Sequence, residues 1–338
     1  MKLNILYQFN DNYAPHAGAS IVSLFEQNKS IEEIDVYILG EGLEAVNIER
    51  LKQTGKDYDR NIIFIDTDDL IKKVQKIGMP SYRGSYAANL RLFIPEVLKE
   101  NVDRLLYLDA DTIVNASLQE LYMTDMGQNV IGMVLDSLTY RHKQDIGLSL
   151  EDDYYNSGVI LFNMTLWRQE NYTNKIIDHV LNVRNNYPSP DQDLLNVVCK
   201  DHIFRLPMEY NMQPVHEVFS DKSYQRWFGQ KAYYTDEQIK KAKQNPVIFH
   251  FFRFVGEFPW HKNTVHPNKD LYNYYSGLSR WKDYEKQPAD VGLVLKIEKL
   301  LYKFLPKGLF LILFKFSHYL FTEKANKDSL NNKINKNI

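Results

Sequence analysis

Along the first half of the chain, apolar and polar positions switch between two periods. Short apolar runs at 3–9 (LNILYQF), 34–40 (IDVYILG), 61–66 (NIIFID) and 104–109 (RLLYLD) have the composition of strands buried on both faces. Helix-like stretches separate them. One covers 15–27, opened by Pro15, with Ile21, Leu24 and Phe25 on one face; another covers 44–55, with Val46 and Leu51 turned inward. Strands alternating with helices predict βαβ units and a mostly parallel sheet. Further strands are expected at 130–136 (VIGMVLD), 157–163 (SGVILFN) and 247–252 (VIFHFF), and helices at 166–187 and 191–200. No internal repeat is evident.

The pattern changes after residue 290. Leu293, Val294, Ile297, Leu300, Leu301, Phe304 and Leu305 recur at helical spacing, with Lys296, Lys299 and Lys303 on the other face. After Pro306 comes KGLFLILFKFSHYLF, too short to span a bilayer. A basic amphipathic helix followed by an aromatic-rich segment predicts an interfacial anchor for an anionic leaflet; the alternative is a C-terminal helix docked on the body. Residues 323–338 are expected to be a disordered tail.

Charge sharpens this division. Residues 291–338 hold nine lysines and three acids, whereas residues 1–290 hold 32 basic and 40 acidic side chains. An acidic body argues against nucleic-acid binding. The single cysteine, Cys199, allows no intrachain disulfide. With no signal peptide or transmembrane run, the expected location is cytoplasmic, peripherally attached to the inner face of the membrane.

Candidate chemistry sits where the strand at 104–109 ends. Ligands of open α/β sheets bind outside the carboxyl ends of the strands. Asp109 and Asp111 fall at such an end, as do Asn10, Asp11 and Asn12 after the first strand. Two carboxylates in one small volume repel unless a cation neutralises them, and oxygen ligands suit Mg²⁺ or Mn²⁺. Two enzyme classes use a strand-end D-x-D. In a haloacid-dehalogenase-type phosphatase, Asp109 would be a nucleophile and Asp111 a general acid. That fold places the pair on its first strand and needs a later acidic motif, which is not found here. In nucleotide-sugar glycosyltransferases the pair holds a metal on the donor diphosphate.

Five segments in order resemble the family 8 glycosyltransferases: FNDNYAPHAGASIVSL (9–24), LYLDADTIV (106–114), YYNSGVILFNMTLW (154–167), SPDQDLLN (189–196) and IFHFFRFVGEFPWH (248–261). These are retaining, UDP-sugar-dependent enzymes that include bacterial lipopolysaccharide galactosyltransferases and glycogenin. The resemblance implies a GT-A fold, Rossmann-like with a mostly parallel central sheet, over residues 1–265. A helical extension at 266–322 would carry the amphipathic tail. The resemblance also implies Asp109, Asp111 and His250 as metal ligands, normally for Mn²⁺. Asp11, Asn12 and Tyr13 match the segment that holds uracil and ribose, with Tyr13 stacking on the base. Arg91 matches the arginine that reaches the donor sugar and the first aspartate.

By the same resemblance, Asn156 matches the N-x-G asparagine, Gly158 allows close approach to the sugar, and Asp136 binds sugar or acceptor. Asp191 would bind sugar hydroxyls, and Gln192 would sit beneath the anomeric carbon. One motif departs from the family's H-x-x-G-x-x-K-P-W. HFFRFVGEFPW is two residues longer, with Arg253 in the glycine's place and Phe258 before the proline. The usual diphosphate-binding lysine is absent, leaving Arg253 and Lys262 as candidates. The expected activity is transfer of glucose or galactose from a UDP-sugar to a glycan or lipid-linked acceptor. A glycogenin-like self-glucosylating protein is the alternative within the family.

Overall fold

The computed structural model describes residues 1–81, 85–98, 101–137, 140–184, 186–219, 233–317 and 320. Nine strands are present among them: β1 (Lys2–Asn10), β2 (Glu33–Glu41), β3 (Asn61–Ile65), β4 (Arg104–Asp109), β5 (Thr112–Val114), β6 (Ile131–Leu135), β7 (Tyr155–Asn163), β8 (Ile203–Arg205) and β9 (Ile248–His250). Seven of them form the central sheet, in the order β3-β2-β1-β4-β7-β6-β8. β5 and β9 pair separately as an antiparallel ribbon.

The first half is built of βαβ units, as its two periods predict. β1 pairs in parallel with β2 and β4, and β2 with β3. Helices Ala14–Gln27 and Ala45–Asp57 fall where the 3.6-residue period placed them. β7 is different: it runs antiparallel to both β4 and β6. The reversal matters for the site, because it brings the N-terminal end of β7 beside the C-terminal end of β4.

Four local features differ from expectation. Val46, expected inward, is exposed, and Asn47 takes the buried place beside Leu51. The helix expected over 166–187 is two helices, Met164–Gln169 and Tyr172–Asn182. Asn171 between them takes the left-handed conformation at φ 56°, which asparagine tolerates better than most residues. β3 is an edge strand, partly exposed rather than buried on both faces. β5 and β8 have three residues each, too few for any periodicity to register.

Among the described residues after 265, two segments pack on the body. Helix Lys269–Leu278 packs on helix Ala14–Gln27, and Trp281 donates from Nε1 to Asn47 Oδ1 at 3.0 Å. Helix Leu293–Phe304 and residues 307–317 then form the tail. Phe310, Leu311 and Phe314 are buried against Phe219, Phe254 and Val255, with Leu301, Tyr302 and Leu305 alongside. Lys299 turns inward to Glu257 at 2.7 Å. The tail therefore docks, yet a second apolar face stays open. Leu293 is 72% exposed and Phe304 81%, and Val294, Ile297, Leu300, Leu309, Ile312, Leu313 and Phe316 are exposed with them. Residues 323–338 lie outside the described residues.

Glu217, on the short helix Pro214–Val218, accepts a hydrogen bond from Asn268 Nδ2 at 2.6 Å. Burial raises its carboxyl from 4.5 to about 7. Between those two values the folded chain holds a proton that the unfolded chain releases. Stability is thus full below about 4.5 and falls as pH rises toward 7. Glu217→Gln should remove this slope, worth up to about 3 kcal/mol. Urea unfolding at pH 5 and pH 8 checks it; identical pH dependence in both proteins would contradict it.

Candidate active site

β4 ends in Asp109, and two residues later Asp111 leads into β5. Their convergence with His250 follows from the backbone. β5 pairs with β9 so that Thr112 stands opposite His250, and Phe251 N–H donates to Asp111 O at 2.8 Å. His250 Nε2 lies 3.5 Å from Asp109 Oδ2 and 3.4 Å from Asp111 Oδ1. Among the described residues these three form the one group of acids and histidines whose ligand atoms all lie within 4.8 Å of one another.

The imidazole has its orientation fixed. His250 Nδ1 donates to Asn211 Oδ1 at 3.0 Å, which leaves the Nε2 lone pair facing the carboxylates. Asn211 Nδ2 in turn donates to Asn156 Oδ1 at 2.8 Å. Burial disfavours a charged imidazole, but Asp111 and Asp109 outweigh it and raise its titration above the usual range. Two carboxylates with one imidazole presenting a lone pair fit a divalent ion, and the nitrogen favours Mn²⁺ over Ca²⁺.

Gly158 makes this cluster possible. A Cβ there would stand 2.0 Å from His250 Cε1 and 2.9 Å from Asp109 Oδ2. The space beside the Gly158 Cα is taken by the His250 and Asp109 side chains.

Arg91 is buried and reaches several groups. Its Nη1 donates to Ser157 O at 2.7 Å and lies 3.4 Å from Asp109 Oδ1, while Nη2 pairs with Asp191 Oδ2 at 2.9 Å. Its guanidinium stacks over the Tyr107 ring, 4.0 Å from the centroid, and the Tyr107 hydroxyl donates to Asp109 Oδ1. Asp191 also accepts from Ser157 Oγ at 3.2 Å; burial raises its carboxyl, with Arg91 opposing.

Gln192 is held on both ends of its amide. Nε2 donates to Asp136 Oδ2 at 2.9 Å and to the Tyr154 hydroxyl at 2.8 Å. Oε1 accepts from Asn156 Nδ2 and from Ser157 N–H, each at 3.0 Å. Asp136 also accepts from Asn156 Nδ2 at 3.1 Å. It stands behind Gln192 and Asn156, outside the cleft lining, and burial raises its carboxyl.

A cleft of about 610 Å³ opens over these groups, lined by Tyr13, Arg91, Asp109, Asp111, Asn156, Asp191, Gln192, His250 and Arg253 among others. Asp11 and Asn12 are not in the lining: Asp11 Oδ1 accepts from Glu44 N–H at 2.7 Å and Asn47 Nδ2 at 2.9 Å. Their neighbour Asn10 is in the lining, with a buried Oδ1 that has no partner among the described residues. Of the two candidates for the missing lysine, Arg253 lines the cleft, its guanidinium 5.1 Å from the Phe258 ring centroid. Lys262 is exposed and outside it.

A parallel first half with a strand-end acid pair, an imidazole and a polar cleft above them describes a glycosyltransferase of the GT-A type. The family model for glycosyl transferase family 8 matches residues 4–264, and the chain belongs to that family. General stress protein A of Bacillus subtilis (strain 168) is 28% identical over 82% of this chain and 94% of its own. The lipopolysaccharide 1,2-glucosyltransferase of Escherichia coli (strain K12) is 28% identical over 88% of this chain and 83% of its own. Among solved structures, the galactosyltransferase LgtC superposes with a TM-score of 0.64 at 22% identity, over 83% of this chain and 96% of its own. The fold is shared at that level.

Proposed function

We propose that this protein is a retaining hexosyltransferase. It moves glucose or galactose from a UDP-sugar to a glycan or lipid-linked saccharide in cell-surface glycoconjugate synthesis. The convergence of Asp109, Asp111 and His250, with Nε2 presented, on the floor of the cleft carries this reading. These three would hold Mn²⁺ or Mg²⁺, which when bound supplies positive charge to the departing diphosphate.

The chain's own residues supply the rest. Asn10 offers its unpartnered oxygen to the imide N–H of uracil, and Tyr13 offers a ring face to the base. Arg253 takes the place of the absent lysine, its fork gripping phosphate oxygens by two hydrogen bonds. Asp191, Arg91 and Asn156 orient the sugar hydroxyls. The bond from C1 to the phosphate oxygen breaks with its electron pair on that oxygen. The acceptor hydroxyl then joins C1 from the same face, and its proton passes to the departing phosphate. Asp191 is engaged by Arg91 and Ser157, and the Gln192 carbonyl by Asn156 and Ser157, so neither stands free as a covalent nucleophile.

Release of UDP from UDP-glucose, UDP-galactose and UDP-N-acetylglucosamine, with and without Mn²⁺, tests the reading. Mn²⁺-dependent release from one of the first two is expected; phosphate release from phosphomonoesters without UDP-sugar hydrolysis would overturn it. Arg253→Ala should raise the KM for the donor at least tenfold, the loss of one charge-assisted pair of about 1.4 kcal/mol or more. An unchanged KM would return the role to another cation.

The extension 266–322 serves in this reading as the membrane-facing part of the molecule. No helix among the described residues is long and apolar enough to cross a membrane. The open face around Leu300 and Phe304 instead suits shallow insertion beside anionic headgroups, with Lys296, Lys303 and Lys307 exposed nearby. Leu300→Glu with Phe304→Glu should lower binding to phosphatidylserine-containing vesicles more than tenfold, since each buried side chain contributes about 1.5–3 kcal/mol. Unchanged cosedimentation would contradict this.

A further inference from the structure

Beside the donor cleft lies a second cavity, of about 220 Å³, which the tail helps to enclose. Ser137, Pro214, Phe252 and Arg253 line it from the body, and Leu295 and Glu298 from helix Leu293–Phe304. Phe252 and Arg253 line the donor cleft as well, so the two spaces share a wall. The tail lies close there because Gly256 has no side chain. A Cβ at Gly256 would stand 2.7 Å from Leu295 Cδ1, and its φ of +75° favours glycine in any case.

Glu298 is the anomaly. It is buried on a helix whose other charged side chains reach solvent or, as with Lys299, an opposite charge. Its Oε1 accepts from Ser317 Oγ at 2.6 Å. No cation pairs with it among the described residues, and its second oxygen takes no hydrogen bond there. Burial raises its carboxyl above the usual range. Replacing a buried carboxyl of this kind by an apolar side chain is often neutral or stabilising, and its second oxygen can accept a further hydrogen bond.

We infer that this cavity seats a neutral sugar unit of the acceptor, and that Glu298 accepts a hydrogen bond from one of its hydroxyls. The inference rests on the proposed transferase activity and adds to it where the acceptor lies and which residue recognises it. The chemistry is that of a saccharide site: apolar walls from Phe252 and Leu295 face the C–H surface of a pyranose, and a single buried acceptor fixes its orientation. The tail is then part of the acceptor site as well as of the membrane-facing surface.

Saturation-transfer NMR on the full chain, with UDP and Mg²⁺ present, provides the test. The probes are methyl β-D-glucopyranoside, methyl β-D-galactopyranoside and methyl N-acetyl-β-D-glucosaminide. At least one should receive saturation from the wild type, and Glu298→Gln and Glu298→Met should reduce that signal at least fivefold. Ser317 Oγ has Phe314 O as another partner at 3.0 Å, so Glu298→Met leaves it satisfied. That variant should melt at or above the wild-type temperature, where loss of a merely structural group would lower it. No signal from any probe with the wild type, or an equal signal from the variants, overturns the inference. UDP-sugar hydrolysis by the wild type, measured in parallel, separates the two readings. Hydrolysis without saccharide binding removes this inference alone; no hydrolysis removes the donor reading and this inference with it.

Discussion

Asp111→Ala is expected to lower Mn²⁺-dependent UDP-sugar hydrolysis at least a thousandfold, about 4 kcal/mol of transition-state stabilisation. The fold should survive, for a physical reason. Asp109 and Asp111 are like charges brought to within reach of one imidazole, and removing one relieves their repulsion. The metal-free variant should therefore melt no lower than the wild type. What should vanish is the rise in melting temperature that Mn²⁺ with UDP gives the wild type. Turnover within a few-fold of wild type would overturn the ligand assignment.

Gly158→Ala should be nearly as damaging, through packing instead of charge. The added methyl carbon would stand 2.0 Å from a ring atom of His250 and 2.5 Å from its Nδ1, far inside contact distance. The imidazole must then leave its place, which breaks the hydrogen bond to Asn211 Oδ1 and turns Nε2 away from the carboxylates. Overpacking of this kind costs about 1–3 kcal/mol of stability. The expected result is a folded protein with a lower melting temperature and at least a hundredfold weaker Mn²⁺ binding. Electron paramagnetic resonance of free Mn²⁺ measures this, and wild-type affinity would contradict it. The two variants fail differently: Asp111→Ala loses a ligand from an intact frame, whereas Gly158→Ala displaces the ligands that remain.

Much of this site was legible in the chain because strand ends are. The run RLLYLD needs a buried strand, the strand needs a sheet, and its carboxyl end delivers Asp109 to the ligand side. His250 was readable only through its motif, since an imidazole on a short apolar strand carries no local sign of a metal. Asn211 left no sign at all. It acquires its role because His250 N–H donates to Met212 O at 2.9 Å, which sets the preceding side chain beside the ring. Tyr107 alternates into the core like any strand residue, and only the fold shows its hydroxyl on Asp109.

Other differences come from neighbours distant in sequence. Asp11 was expected in the nucleotide pocket, but the backbone of Glu44 and the side chain of Asn47 engage it, and Asn10 faces the cleft in its stead. Asp136 was expected against sugar or acceptor and lies one layer behind, ordering Gln192. The tail shows why amphipathic periodicity alone could not choose between anchor and docked helix. It has apolar side chains on two faces: Leu301 and Leu305 pack inward while Leu300 and Phe304 stay exposed. Docking accounts for the first face and leaves the second open to a partner or a surface.

The central claim is that one divalent ion sits among Asp109, Asp111 and His250 when the donor nucleotide is bound. Anomalous diffraction from crystals grown with UDP and Mn²⁺ tests it most directly. A single manganese peak is expected, within ligand distance of both carboxylates and of His250 Nε2. A peak elsewhere, or bound UDP with no manganese among these three side chains, would contradict it.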